Sequence, residues 1–137
     1  RNQFAGTLVQ RVEQEGLSSR IHFLGHIDDV FGLLRQCDLH VHPALAEPFG
    51  NAILEAKHCS LPSVVFPGGE PPNIISHRVD GYVCSEASPH ALYEGIRYFY
   101  DDPQVLRAAR AAARNSIERF SIARAEEAWV ALYKRLT

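Results

Sequence analysis

Short apolar runs of strand length, each closed by glycine or proline and followed by a segment of helical spacing, decide what this chain can fold into. Ile21-His22-Phe23-Leu24 ends at Gly25, Leu39-His40-Val41-His42 at Pro43, and Ser63-Val64-Val65-Phe66 at Pro67. A fourth run, Tyr82-Val83-Cys84, follows the turn signal Asp80-Gly81. Helical periodicity fills the gaps. Phe4, Leu8 and Val12 share one face before Gly16, and Val30, Phe31, Leu33 and Leu34 follow the acidic start Asp28-Asp29. Asn51–His58 reads as a further helix, and a short helical turn is expected over Asn73–His77. Ser88-Pro89, Asp102-Pro103 and Ser121 carry the chemistry of helix starts, the first helix with Leu92, Ile96 and Phe99 as its core stripe and the last with Trp129, Leu132 and Leu136. Strands alternating with helices through short loops predict an α/β fold, a Rossmann-like parallel sheet with flanking helices. No linker or repeat divides the chain, so a single domain over residues 1–137 is expected.

Composition narrows the function. The 137 residues carry a net charge of -2 and 46% hydrophobic residues, which supplies a core and lacks the positive field that nucleic-acid binding draws on. No nucleic-acid partner is expected. Cys37, Cys59 and Cys84 are odd in number and lie in apolar stretches, as reduced core thiols do in a cytoplasmic protein. No apolar run approaches the ~18 residues of a membrane span. The chain opens without Met inside a helical pattern, and is therefore expected to be part of a larger protein.

In open parallel sheets ligands bind beyond the carboxyl ends of the strands. That singles out the loops at residues 25–28, 43–50 and 67–72. The middle loop is the informative one, because Pro43-Ala44-Leu45-Ala46-Glu47-Pro48-Phe49-Gly50 leads directly into the helix Asn51-Ala52-Ile53-Leu54-Glu55-Ala56. The amino terminus of a helix offers free N–H groups to a diphosphate, and Gly50 lets that backbone come close. Glu55, about one turn inside the helix, can accept hydrogen bonds from a ribose diol. Glu47, in the loop, can hold sugar hydroxyls or face positive charge developing at an anomeric carbon.

Glu47 and Glu55 enclose seven residues, with Phe-Gly between them and Glu-Ala at the close, which resembles the E-x7-E motif of glycosyltransferase family 4 (group 1). The likeness extends to Arg20-Ile21-His22-Phe23-Leu24-Gly25, to the strand from Asp38 to Pro43, to Ser60-Leu61-Pro62-Ser63-Val64-Val65, to Gly68-Gly69 with Pro72, and to Asp80-Gly81-Tyr82-Val83. The resemblance implies the carboxyl-terminal, donor-binding domain of a two-domain GT-B enzyme that transfers a hexose with retention from a nucleotide sugar to a glycan, lipid or small-molecule acceptor. It implies a UDP- or GDP-sugar donor and no metal or other cofactor. Carried over by motif position, Glu47 is the catalytic residue at the reacting carbon and Glu55 holds the donor ribose. The backbone of Phe49, Gly50 and Asn51 meets the sugar or diphosphate, Gly25 lines the base pocket, and Gly68 and Gly69 admit close backbone approach. Pro48 stands where the family often has Gly, and Asn73 where it often has Glu. The acceptor would lie largely on an amino-terminal domain, so the chain alone is expected to bind donor weakly and catalyse nothing.

Other readings attach to the same residues. Glu47 read alone is a solvated loop acid, and Glu55 an acid complementing a helix dipole. His40 and His42 share a strand face, but their spacing with Cys37 or Cys59 fits no zinc signature, and local hydrogen bonding accounts for them better. His77-Arg78 reads as a surface turn. Arg107, Arg110 and Arg114 share a helix side that suits either solvent or peripheral contact with an anionic membrane. A non-catalytic nucleotide-sugar-binding subunit, completing a site with another chain, is the alternative function, and an epimerase or phosphorylase of similar architecture a third.

Overall fold

The computed structural model describes residues 3–136. They fall into two units, one running to Val30 and the other starting at Phe31. In the first, helix α1 (Gln3–Gln14) closes at Gly16, whose φ of 67° only glycine adopts at no cost, with Leu17 N–H donating to Val12 O at 2.9 Å. The strand expected at Ile21–Leu24 does not form. Arg20 and Ile21 both donate back to Leu17 O, at 2.9 and 3.0 Å, and the run beyond them finds no ladder partner among the described residues. Its apolar pattern instead contributes Ile21 and Phe23 to a groove with Leu8, Val12 and Leu17.

After α2 (Val30–Leu34), the second unit runs β1 (His40–His42), α3 (Asn51–His58), β2 (Ser63–Val65), α4 (Pro71–Ile74), β3 (Gly81–Val83), α5 (Pro89–Tyr100), α6 (Pro103–Ser116), a 3-10 turn (Ile117–Phe120) and α7 (Ile122–Leu136). The sheet is parallel throughout, in the order β1-β2-β3, with His40 opposite Ser63 and Ser63 opposite Gly81. Central β2 is buried along its length, the pattern of a strand covered on both faces. Val64 packs with Phe66, Cys84, Ala91, Phe99 and Ala109, and so against α5 and α6. Val65, pointing the other way, packs with Ile53, Ile74 and Ile75, and so against α3 and α4.

The helix starts follow their sequence signals. Asp102 accepts from Gln104 N–H at 2.8 Å, Ser88 accepts from Ala91 N–H at 3.2 Å, and proline occupies the first turn of both α5 and α6. Helix α4 begins two residues before the expected turn at Asn73, because a proline in the first turn is already set for a helix. The 3-10 turn between α6 and α7 had no separate signal in its sequence Ile-Glu-Arg-Phe. Arg110 and Arg114 reach across the surface, donating to Asp38 Oδ1 at 3.1 Å and His58 O at 2.6 Å. Two of the three arginines read as a surface row thereby tie α6 to the fold.

One buried ion pair pins these elements together. Lys57 of α3, with no solvent exposure, places Nζ 2.6 Å from Asp80 Oδ2 and donates to Ser116 Oγ at 2.8 Å. Asp80 Oδ1 in turn accepts from Ser76 N–H at 2.8 Å. Burial pushes the Lys57 ammonium below its ordinary pKa, and the Asp80 carboxylate opposes that. Removing one partner leaves an uncompensated buried charge, so Asp80→Ala is expected to cost about 3–5 kcal/mol in chemical denaturation. A second prediction concerns the end of α3. There Ser60 adopts φ 62° while Leu61 N–H reaches Ala56 O at 2.9 Å, a closure that favours glycine. Ser60→Gly relieves that strain against a larger unfolded-state entropy, and a net gain of roughly 0.5–1 kcal/mol is expected from the same assay.

Candidate functional site

The loops after β1 and β2 meet through their backbones. Glu47 forms an isolated parallel bridge with Gly69, and Glu70 N–H donates to Glu47 O at 2.9 Å. The approach requires glycine. A Cβ on Gly68 would lie 1.9 Å from Leu45 O, and one on Gly69, where φ is 79°, would lie 2.3 Å from Glu47 O. The bare sides of this pair therefore face the acidic loop, and what they admit in this structure is the backbone of residues 45–47.

Three hydrogen-bond partners hold Glu47. Its Oε1 accepts from Gly50 N–H at 2.8 Å and Phe49 N–H at 3.2 Å, and its Oε2 lies 3.1 Å from His42 Nε2. Gly50, at φ 93°, has no side chain with which to cap α3, and the Glu47 carboxylate bonds the two N–H groups just ahead of the helix rather than those within it. The two backbone N–H groups, with a smaller contribution from His42, hold the Glu47 carboxyl below its ordinary pKa, so that it is an anion at neutral pH. The N–H groups of Phe49 and Gly50, expected to meet the donor, are thus engaged by Glu47. Ile53 and Leu54 N–H both reach Gly50 O. Among the described residues, that leaves the N–H groups of Asn51 and Ala52 unpaired at the helix start.

Glu55 follows Asn51 by one turn on the same side of α3, half-buried, and its carboxylate has no hydrogen-bond partner among the described residues. Inward-facing Ile53, Ala56 and Lys57 fix that orientation. Phe49 is 56% exposed and, with Leu54, Arg119, Phe120, Ser121 and Arg124, lines a shallow depression beside the helix start. Gly25, at φ 67°, belongs to the first unit, and all other expected site residues belong to the second.

Two groups near this site escaped the sequence reading. His42 bonds locally, as expected, but the partner is Glu47, which spacing alone does not name; the place of His42 at the end of β1, one loop ahead of the acid, is the available signal. Arg119 sits beside Phe49 but donates to Asn73 O at 3.1 Å and also to Ile74 O, and nothing in its local sequence marked it. His40 bonds Ser63 Oγ through Nδ1 at 2.9 Å. His77 accepts from Val83 N–H at 3.1 Å, and the Arg78 guanidinium lies over the rings of Tyr82 and Tyr98 at 5.8 and 5.4 Å. Among the described residues no group of three or more His, Cys, Asp or Glu side chains could hold a metal, and no helix is long and apolar enough to cross a membrane.

The family model described as "Glycosyl transferases group 1" matches residues 4–116. The chain is 30% identical over 111 residues to N-acetyl-alpha-D-glucosaminyl L-malate synthase of Bacillus anthracis, covering 81% of this chain and 29% of that protein. It is 31% identical over 134 residues to the lipopolysaccharide core biosynthesis mannosyltransferase LpcC of Rhizobium leguminosarum bv. viciae, covering 97% and 38% respectively. Among solved structures, Anabaena Alr3699/HepE in complex with UDP superposes with a TM-score of 0.86 at 26% identity, over 96% of this chain and 36% of that one. The chain therefore spans about a third of the length of these relatives. The carboxyl-terminal domain of a group 1 glycosyl transferase (LpcC) from Francisella tularensis shares the fold, with a TM-score of 0.77 at 24% identity, over 87% of this chain and 63% of that one.

The histidine behind His42 yields a prediction for pH. Burial, reinforced by His42, pushes His40 down to about 4 from 6.5. Below pH 6.5 the unfolded chain takes up a proton that the folded chain refuses until about pH 4, so this contribution to stability is complete above 6.5 and lost across that window. Denaturation free energies measured from pH 7 to 4.5 are expected to fall with a slope that His40→Leu reduces by up to one proton.

Proposed function

We propose that this chain, which belongs to the glycosyl transferases of group 1, is the donor-binding part of a retaining hexosyltransferase that uses a UDP- or GDP-sugar. The observation that carries the reading is the Glu47 carboxylate. It is held as an anion at the carboxyl ends of β1 and β2, against the Gly68-Gly69 loop, with Glu55 unpaired on the helix that follows. UDP in the similar Anabaena protein supports a nucleoside diphosphate here.

Each residue has a task in this reading. Glu55 accepts from the donor ribose, and the Asn51 and Ala52 N–H groups and the dipole of α3 meet the diphosphate. Glu47 faces the sugar, where a fixed negative charge stabilises the cation that develops as the bond to the diphosphate lengthens. Phosphate charge is met by the N–H groups at the start of α3, and transfer proceeds without a metal and persists in a chelator. The acceptor is held largely by an amino-terminal domain, and catalysis requires it. The names of the relatives support an enzyme of carbohydrate biosynthesis acting on a lipid, glycan or small molecule, and the apolar setting of the three cysteines suits a cytoplasmic one.

In the full-length enzyme, Glu55→Ala is expected to raise the donor KM about tenfold with kcat largely kept, whereas Glu47→Ala lowers kcat by ~10²–10³. Steady-state kinetics with a panel of UDP- and GDP-sugars reads both. Wild-type kinetics in the two variants would remove the assignment. Saturation-transfer NMR of this chain against UDP and GDP, with Glu55→Ala as control, names the base.

A further inference from the structure

Of the two Glu47 oxygens, the backbone holds only one. Phe49 and Gly50 N–H both converge on Oε1, while Oε2 has a single partner among the described residues, His42 Nε2 at 3.1 Å. The terminal torsion of a glutamate is soft and broad, so two donors on one oxygen leave the carboxylate plane free to turn. A third donor, on the other oxygen, fixes it. Both side chains are mostly enclosed, at 19% and 24% exposure, which shields the bond from competing water.

The chemistry assigns the proton. An ionised carboxylate only accepts, so His42 Nε2 carries the hydrogen and donates it. The ring that makes this bond is itself placed. His42 ends β1, where the pairing of Val41 with Val64 and His42 with Val65 sets its backbone. The His40 ring lies beside it at 5.8 Å, tilted by 33° and tethered to Ser63 Oγ. The imidazole thus has a rigid strand behind it and the carboxylate in front.

We propose that His42 is a positioning residue for the transfer reaction, its Nε2–H fixing Glu47 Oε2 toward the reacting sugar carbon. This rests on the donor-site reading of Glu47 given above. Electrostatic stabilisation depends on where the charge points when the cation forms, and a carboxylate free to turn has to be reoriented at that moment. Donor binding through Glu55 and the start of α3 does not pass through this bond. Loss of His42 therefore falls on kcat and spares the donor KM.

The test is made in the full-length enzyme, with whichever UDP- or GDP-sugar supports transfer. His42→Leu is expected to lower kcat about tenfold or more, the scale of one hydrogen bond to a charged group, with donor KM changed by less than about twofold. His42→Gln, whose amide N–H can reach the Nε2 position, restores most of the rate. Should His42→Leu fail to fold, His42→Asn, polar but too short to reach Oε2, is expected to show the same loss. In a Glu47→Ala background, removing His42 costs nothing further, since the two act as one unit. A full rate in both His42→Leu and His42→Asn with a crippled Glu47→Ala overturns the positioning role alone. So does a rate in His42→Gln as low as in His42→Leu. A full rate in Glu47→Ala overturns the donor-site reading, and this proposal with it.

Discussion

The rotation of α3 about its own axis is set by the buried Lys57–Asp80 pair, and the arrangement of the site depends on it. Lys57 engages Asp80, at the entrance to β3, and Ser116, at the end of α6. An ammonium without solvent has few places to go, so the helix cannot turn without stranding it. Glu55, two residues earlier and about 200° away around the helix, is consequently presented outward. Asn51, nearly two turns before His58, starts the helix at the loop of Glu47. A hydrophobic residue at position 57 would pack the same volume without specifying direction. The pair's value lies in angle more than in energy.

The same pair shows what sequence reading reaches and what it misses. The α/β alternation was legible because Val64, Val65 and Phe66 make a compact apolar run and the starts of α4, α5, α6 and α7 carry Ser, Asp or Pro. The strand expected at Ile21–Leu24 was misread because its apolar run is indistinguishable in sequence from one that joins a ladder. What decides is a partner edge, and sequence spacing does not contain it. Lys57 looked like one more polar residue in a helix, and Asp80 like a turn former. Their burial follows from the meeting of three elements distant in sequence, which local pattern cannot register.

At the site, Glu47, Glu55 and Gly50 stood out through spacing, whereas their division of labour did not. The loop acid turns back onto the N–H groups of Phe49 and Gly50, which leaves the first N–H groups of the helix itself open. His42 was visible as half of a histidine pair, and weighing the pair as metal ligands or as structural residues overlooked a carboxylate five residues on. A strand end and the loop after it fold back within hydrogen-bond reach, and residues so related invite reading together.

The contact of Gly68 and Gly69 with residues 45–47 makes two loops into one mechanical part. With no side chain between them, the segment after β2 rests its main chain on that of the acidic loop, and Glu70 N–H is bonded to Glu47 O. The two segments can shift only together. A sequence change that reshapes one loop must therefore move the carboxylate carried by the other, so the two loops are constrained to vary as a single trait.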